Sequence, residues 1–230
     1  MNFNEGFYDQ RQSHVNTMNV RTYMMAISGF TAVFIMVSMV GASFSYTWTF
    51  SDNGWLLLLF MLVCLAGSIG GGVLAQANDD PMISVVGGAI CAGAMGLMIG
   101  PFVALYELGS VVQAFVLATG VVLVTGFIGA LLPADLSAWG APLFGLLLGA
   151  IFIQFGGILL AAFGVDMELS FTILDWAVLI LFCAIMVYDL NMARRLDRTF
   201  NNAIDVAVNV FLNFANIFIR ILSIMGQAKK

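Results

Sequence analysis

Residues 203–225 read AIDVAVNVFLNFANIFIRILSIM. The polar members of this stretch are Asp205, Asn209, Asn213, Asn216, Arg220 and Ser223. On a helix turning about 100° per residue they fall within roughly a quarter of the circumference. Everything else in the stretch is apolar. In a soluble protein, one polar stripe marks a helix lying on the surface. In a chain this rich in hydrocarbon the stripe must be hidden from lipid, because each unpaired amide or charge in hydrocarbon costs several kcal/mol. The stripe has to face other helices or water. The segment is therefore expected at the centre of a helix bundle.

Composition supports that reading. Of 230 residues, 61% are hydrophobic and 9% charged, and mean hydropathy is +1.01. Soluble domains carry about 25% charged residues, so the chain reads as an integral membrane protein. The formal net charge of −5 says little about partners, since the charges fall mostly in short connections. Cys64, Cys91 and Cys183 lie inside apolar runs and read as small hydrophobes. The polar segment 1–19 lacks the apolar core of a signal peptide.

Seven stretches are long enough to cross a bilayer, at about 20 residues per span. They lie near 20–43, 54–75, 83–106, 109–132, 138–163, 171–192 and 203–225. The expected organisation is a polar segment 1–19, an all-α domain of seven transmembrane helices over 20–226, and a short tail 227–230. A spanning chain must satisfy its backbone internally. Open sheets are thereby excluded, and continuous apolarity argues against a barrel. Trp48, Trp55, Trp139 and Trp176 stand near span ends, where indoles favour the interface.

Orientation follows from the basic residues. Arg11 and Arg21 precede or open the first span, and Arg194, Arg195 and Arg198 fill the sixth connection. With seven spans these share one side, which the positive-inside rule makes cytoplasmic. The opposite connections hold Asp52, Glu107, Asp166 and Glu168 without Lys or Arg. Lys229 and Lys230 run against the rule, and would fit a re-entrant last segment; seven full spans are the preferred reading.

Small residues mark expected close approaches between helices. Gly88, Ala92, Gly96 and Gly100 repeat at four-residue intervals, as do Ala141, Gly145 and Gly149. Gly70, Gly71 and Gly72 in succession weaken a helix, so a bend or an irregular turn is expected there. Pro101 is expected to kink the third span.

Asp189 is the strongest single candidate for function. It lies inside the sixth span, five residues before Arg194 and off that arginine's helical face. Two readings fit: a protonated or snorkelling carboxyl, or a cation or proton site, since intramembrane carboxylates commonly mark ion paths. Antiparallel packing would set Asn209 about level with Asp189, and Asn213 one turn deeper. A carboxylate with amide oxygens is a hard-cation ligand set of low charge, suited to weak calcium binding rather than to a tight metal site. The amides could equally cross-link helices by hydrogen bonding. Asn216 extends the same face, and Glu107 and Asp205 are candidates for ion access at the two ends. Asp79 and Asp80 read as a solvated turn with Asn78 and Pro81. The only histidine, His14, lies in the polar N-terminal segment. Nothing resembles a nucleophile with its base, so no enzyme, catalytic residue or cofactor is expected. No phosphate loop or basic patch suggests nucleic acid.

Three sets of residues carry a resemblance: Asn19-Val20-Arg21-Thr22-Tyr23; Gly96-Leu97-Met98-Ile99-Gly100-Pro101 through Tyr106, with Ala118-Thr119; and Tyr188-Asp189 with Leu212-Asn213-Phe214-Ala215-Asn216-Ile217-Phe218 and Ile224-Met225-Gly226. In order and spacing they resemble the bacterial branch of the Bax-inhibitor (TMBIM) family, over essentially all of the chain beyond about Thr17. The resemblance implies a seven-helix bundle with the last helix central. It also implies a pH-sensitive passive calcium leak gated by two aspartates, on the sixth and seventh helices. Asp189 matches the first, while the second position is occupied by Asn213. A carboxylate pair can share a proton, which a carboxylate and an amide cannot do in the same way. Other bacterial relatives implied by the resemblance bind or modulate a membrane-anchored AAA protease. The leading expectation is thus a cation leak in a bacterial inner membrane, with the N-terminus cytoplasmic and the bilayer and calcium ions as partners. A non-conducting protease partner is the alternative, and a proton-coupled transporter a third reading.

Overall fold

The computed structural model describes residues 17–48, 54–77 and 79–227. Arg11, His14, Asp52, Asn78, Lys229 and Lys230 lie outside the described residues. The described residues form seven long helices: α1 (Val20–Ser45), α2 (Gly54–Gln76), α3 (Pro81–Val103), α4 (Leu108–Leu131), α5 (Gly140–Ala162), α6 (Glu168–Ala193) and α7 (Phe200–Gln227). A short 3₁₀ turn, Ser137–Trp139, precedes α5. No strand occurs among the described residues. Every helix is long and apolar enough to cross a membrane. α7 runs as one helix of 28 residues, about 42 Å at 1.5 Å per residue, so the segment crosses fully and does not turn back.

Local chemistry sets the ends. The Asn19 side chain accepts from Thr22 N at 2.8 Å and caps α1. Asp80 is more than a solvated loop residue: its carboxylate accepts from Met82 N at 2.8 Å and caps α3, with Pro81 in the first turn. α4 stops where Leu132 turns extended ahead of Pro133. After α5, Gly164 takes φ +84°, a left-handed conformation that favours glycine. Backbone Met18 N donates to Arg198 O at 2.7 Å. This joins the start of α1 to the α6–α7 connection, so Arg21, Arg194, Arg195 and Arg198 cluster at one end of the bundle.

α7 packs against α1, α2, α3, α4 and α6. It is the most buried helix, with 56% of its apolar window enclosed against 6% for α5. Ile204, Val208, Phe211, Ile217 and Leu222 on α7 are fully enclosed, and the Phe211 ring meets Phe34 of α1. Large apolar side chains such as Leu59, Phe127 and Phe152 cover the outside, where hydrocarbon would be their solvent.

The small-residue expectations divide. The α3 series is buried as expected: a Cβ on Gly96 would strike the Ser38 backbone, one on Gly100 the Ser45 hydroxyl, and one on Gly88 the Phe34 ring. The α5 series is not a helix contact, since nothing lies within 4 Å of a Cβ at Gly145 or Gly149. That face of α5 points away from the bundle. No irregular turn interrupts α2 at Gly70–Gly72, and the helix continues through it. Gly71 instead lets α2 and α3 touch at backbone distance: its Cβ position lies 2.7 Å from Gly87 O, and that of Gly87 lies 2.7 Å from Gly71 O. Packing explains the glycine there, and backbone freedom does not. Pro101 stands two residues before the end of α3, inside its last turn.

Candidate functional site

The polar stripe of α7 is not one continuous line. Its members meet different partners, which makes two main clusters near opposite ends of the α6–α7 contact.

The first cluster lies toward the arginine-bearing end. Asn213 Nδ2 donates to Asp189 Oδ2 at 2.7 Å and also approaches Met186 Sδ at 3.8 Å. Asn213 is only 3% exposed. Met186, Leu190 and Val210 belong to one apolar cluster at this end of the bundle. Among the described residues Asp189 makes no ion pair. The pairing expected from the sequence is therefore present, with one correction of register. Asn209 is not a partner of Asp189; it accepts from Gln76 Nε2 of α2 at 2.9 Å. Asn209 and Asn213 are one turn apart on the same side of α7, yet their side chains reach α2 and α6 respectively. Asn216 turns back on its own helix and donates to Leu212 O at 2.8 Å.

Asp205 lies near the start of α7, where Asn201 Nδ2 reaches its Oδ2 at 3.3 Å. Its Oδ1 and the hydroxyl of buried Tyr23 on α1 have no hydrogen-bond partner among the described residues. Glu107 is exposed at the other end of the bundle, in the N-cap position of α4 and without a side-chain cap bond. The structure does not bring it to Asp189.

The second cluster is the one that sequence reasoning missed. Asp175 of α6, 5% exposed, accepts from Arg220 Nη1 at 2.6 Å and from the Ser223 hydroxyl at 2.6 Å. Arg220 Nη2 donates to Gln154 Oε1 of α5 at 2.9 Å. Tyr106, from the α3–α4 connection, interacts with Ser223, and burial pushes its hydroxyl above the ordinary phenol value. The signal was available, because a carboxylate inside an apolar run is expensive without a partner. It stands fourteen residues before Asp189, so both lie on nearly one face of α6. Val178 and Phe182 of α6, Ile217 and Phe218 of α7 and the Phe115–Phe214 contact fill the space between the clusters.

A third polar contact secures the arginine-bearing end. Asn191, 1% exposed, donates to Leu132 O at 3.0 Å and Ala134 O at 3.1 Å and accepts from Leu136 N at 3.3 Å. Arg194 donates to Leu132 O at 2.9 Å, and Arg195 pairs with Asp135 at 3.3 Å. Hydrogen bonds from the Ser137 backbone and side chain, and then the Arg195 charge, hold the Asp135 carboxyl below its ordinary value. These residues bind the α4–α5 connection to the end of α6. Among the described residues no group of three or more His, Cys, Asp or Glu could hold a metal.

The family model described as inhibitor of apoptosis-promoting Bax1 matches residues 11–230. No curated protein matches the chain. The match covers nearly the whole sequence, and the structure it covers is a bundle of seven apolar helices. The chain belongs to the Bax inhibitor family of membrane proteins.

Proposed function

We propose that the protein is a pH-sensitive passive cation leak, with calcium as the ion that its family resemblance implies. The observation that carries this is the buried hydrogen bond from Asn213 to Asp189, which joins α6 to α7 at a carboxylate that makes no ion pair among the described residues. Parting the two helices there would free a carboxylate and an amide oxygen for a passing hard cation, bound weakly enough to leave. The apolar layer of Phe182, Ile217 and Phe218 makes this the closed arrangement. A proton on Asp189 competes with the cation for the same oxygens, so flux falls as pH falls. Asp205 and Asn209, at the arginine-bearing end, and Glu107, at the other, are the proposed access points. The membrane is proposed to be a bacterial inner membrane with the arginine-bearing end cytoplasmic, supported by the gathering of Arg21, Arg194, Arg195 and Arg198 at that end.

The test is calcium flux into liposomes containing the purified protein, at several pH values, for the parent and Asp189→Asn. The reading requires a flux in the parent that changes with pH, and a loss of that dependence in the variant. Absence of flux at every pH would refute it and leave the non-conducting protease partner as the reading to test.

A further inference from the structure

A cleft runs between α1 and α4, floored by α7 together with Met186 and Leu190 of α6 at one end and Ile99 and Val103 of α3 at the other. Its half nearer the arginines has a volume of about 480 Å³, bounded by Met24, Ser28 and Ala32 on α1 and Leu123, Phe127 and Ala130 on α4. The farther half has a volume of about 390 Å³. Ile35 and Phe214 line both, so the two cavities adjoin along the two helices.

The lining asks for hydrocarbon rather than water. The hydroxyls of Thr31 and Thr119 donate to the carbonyls of Ile27 and Phe115 on their own helices, each at 2.8 Å. Ser43 likewise donates to Met39 O at 2.6 Å. Side chains that satisfy themselves in this way present methyl and methylene groups to the cleft.

The mouth has the opposite character. Arg21 precedes Met24 and Ser28 by three and seven residues, which puts it on the cleft face of α1. It is exposed, and among the described residues it makes no ion pair. At the same end of the bundle, Arg194 donates to Leu132 O, two residues beyond Ala130 of the α4 wall. Asp135, the acid of that connection, is already taken by Arg195. Basic residues at the membrane end of a groove between spanning helices match a phosphate headgroup, and the apolar groove matches the chain attached to it.

We propose that this cleft binds one anionic phospholipid, with its phosphate between Arg21 and Arg194 and one acyl chain lying between α1 and α4. The inference does not rest on the cation-leak reading. It is tested by native mass spectrometry of the full chain after incubation with phosphatidylglycerol or with phosphatidylcholine of identical acyl chains. One retained lipid is expected, with phosphatidylglycerol preferred. Arg21→Gln should lower that preference about fivefold, the factor expected for one basic side chain near an anionic surface. Ser28→Leu, which fills the cleft, should lower retention of both lipids. Equal retention of the two lipids by the parent would overturn the proposal. So would an Arg21→Gln protein that keeps the parent's preference, or a lipid-free dimer in which a second copy occupies the cleft. Should Ser28→Leu fail to fold, thermal melting of the parent decides: phosphatidylglycerol must raise the melting temperature more than phosphatidylcholine does, and that difference must shrink in Arg21→Gln.

Discussion

Consider Asp175→Asn. In the parent, Arg220 and Asp175 are paired at 2.6 Å, with side chains only 14% and 8% exposed. Arg220 Nε is already buried without a partner among the described residues. The substitution removes the counter-charge and leaves Nη2 to Gln154 as the remaining hydrogen bond recorded for the guanidinium. Breaking a buried pair by removing one partner costs about 3–5 kcal/mol, because the other charge stays desolvated. For a chain of this size that corresponds to a fall in melting temperature of roughly 6–20 °C. The paired replacement Asp175→Leu with Arg220→Met removes both charges, and the loss should then be near zero or reversed. The assay is thermal unfolding in one detergent for the parent, Asp175→Asn, and the cycle of Asp175→Leu, Arg220→Met and their double variant. Trp176, next to Asp175, supplies a local fluorescence signal. An Asp175→Asn protein as stable as the parent would show that the pair is hydrated, and the buried-ion-pair argument would fall. A double variant less stable than the sum of the singles would do the same.

The two glycine series should respond with opposite signs. Gly96→Ala pushes a methyl into the Ser38 backbone and should cost about 1–3 kcal/mol, whereas Gly145→Ala meets nothing within 4 Å and should gain up to about 1 kcal/mol of helix propensity; melting temperatures of both in one detergent check this. Asn213→Asp places a second carboxyl against Asp189, so the pair should titrate as a unit and make calcium flux more steeply pH-dependent than in the parent; equal steepness in matched liposomes would remove Asn213 from the gate. The Asp135 carboxyl is held below its ordinary value. Its contribution is therefore present above the unfolded value and lost as pH falls through the folded one. Amide exchange at Ser137, corrected for its intrinsic pH dependence, should speed up in that acid window, and Asp135→Asn should abolish the pH response.

The sequence alone determined the seven helices. Continuous apolar runs of bilayer length leave the backbone no other way to satisfy itself, and the observed helix ends fall within about three residues of the expected ones at most boundaries. It also determined that the polar face of α7 must be hidden from lipid, because amides and charges in hydrocarbon need partners. Which turn of α7 met Asp189 was beyond its reach: Asn209 and Asn213 differ by one turn, and the choice depends on how α2 and α6 flank the helix. The Asp175–Arg220 pair joins residues 45 positions apart in sequence, and its existence depends on the register of α6 against α7. The glycines show the same limit. The series on α3 and on α5 have the same spacing, yet only the first is pressed against another helix. Spacing sets which residues share a face, whereas the direction of that face, toward a neighbour or toward lipid, is set by the arrangement of all seven helices. The α1–α4 cleft is likewise a property of that arrangement, since neither helix carries any sign in its own sequence that the other stands off from it.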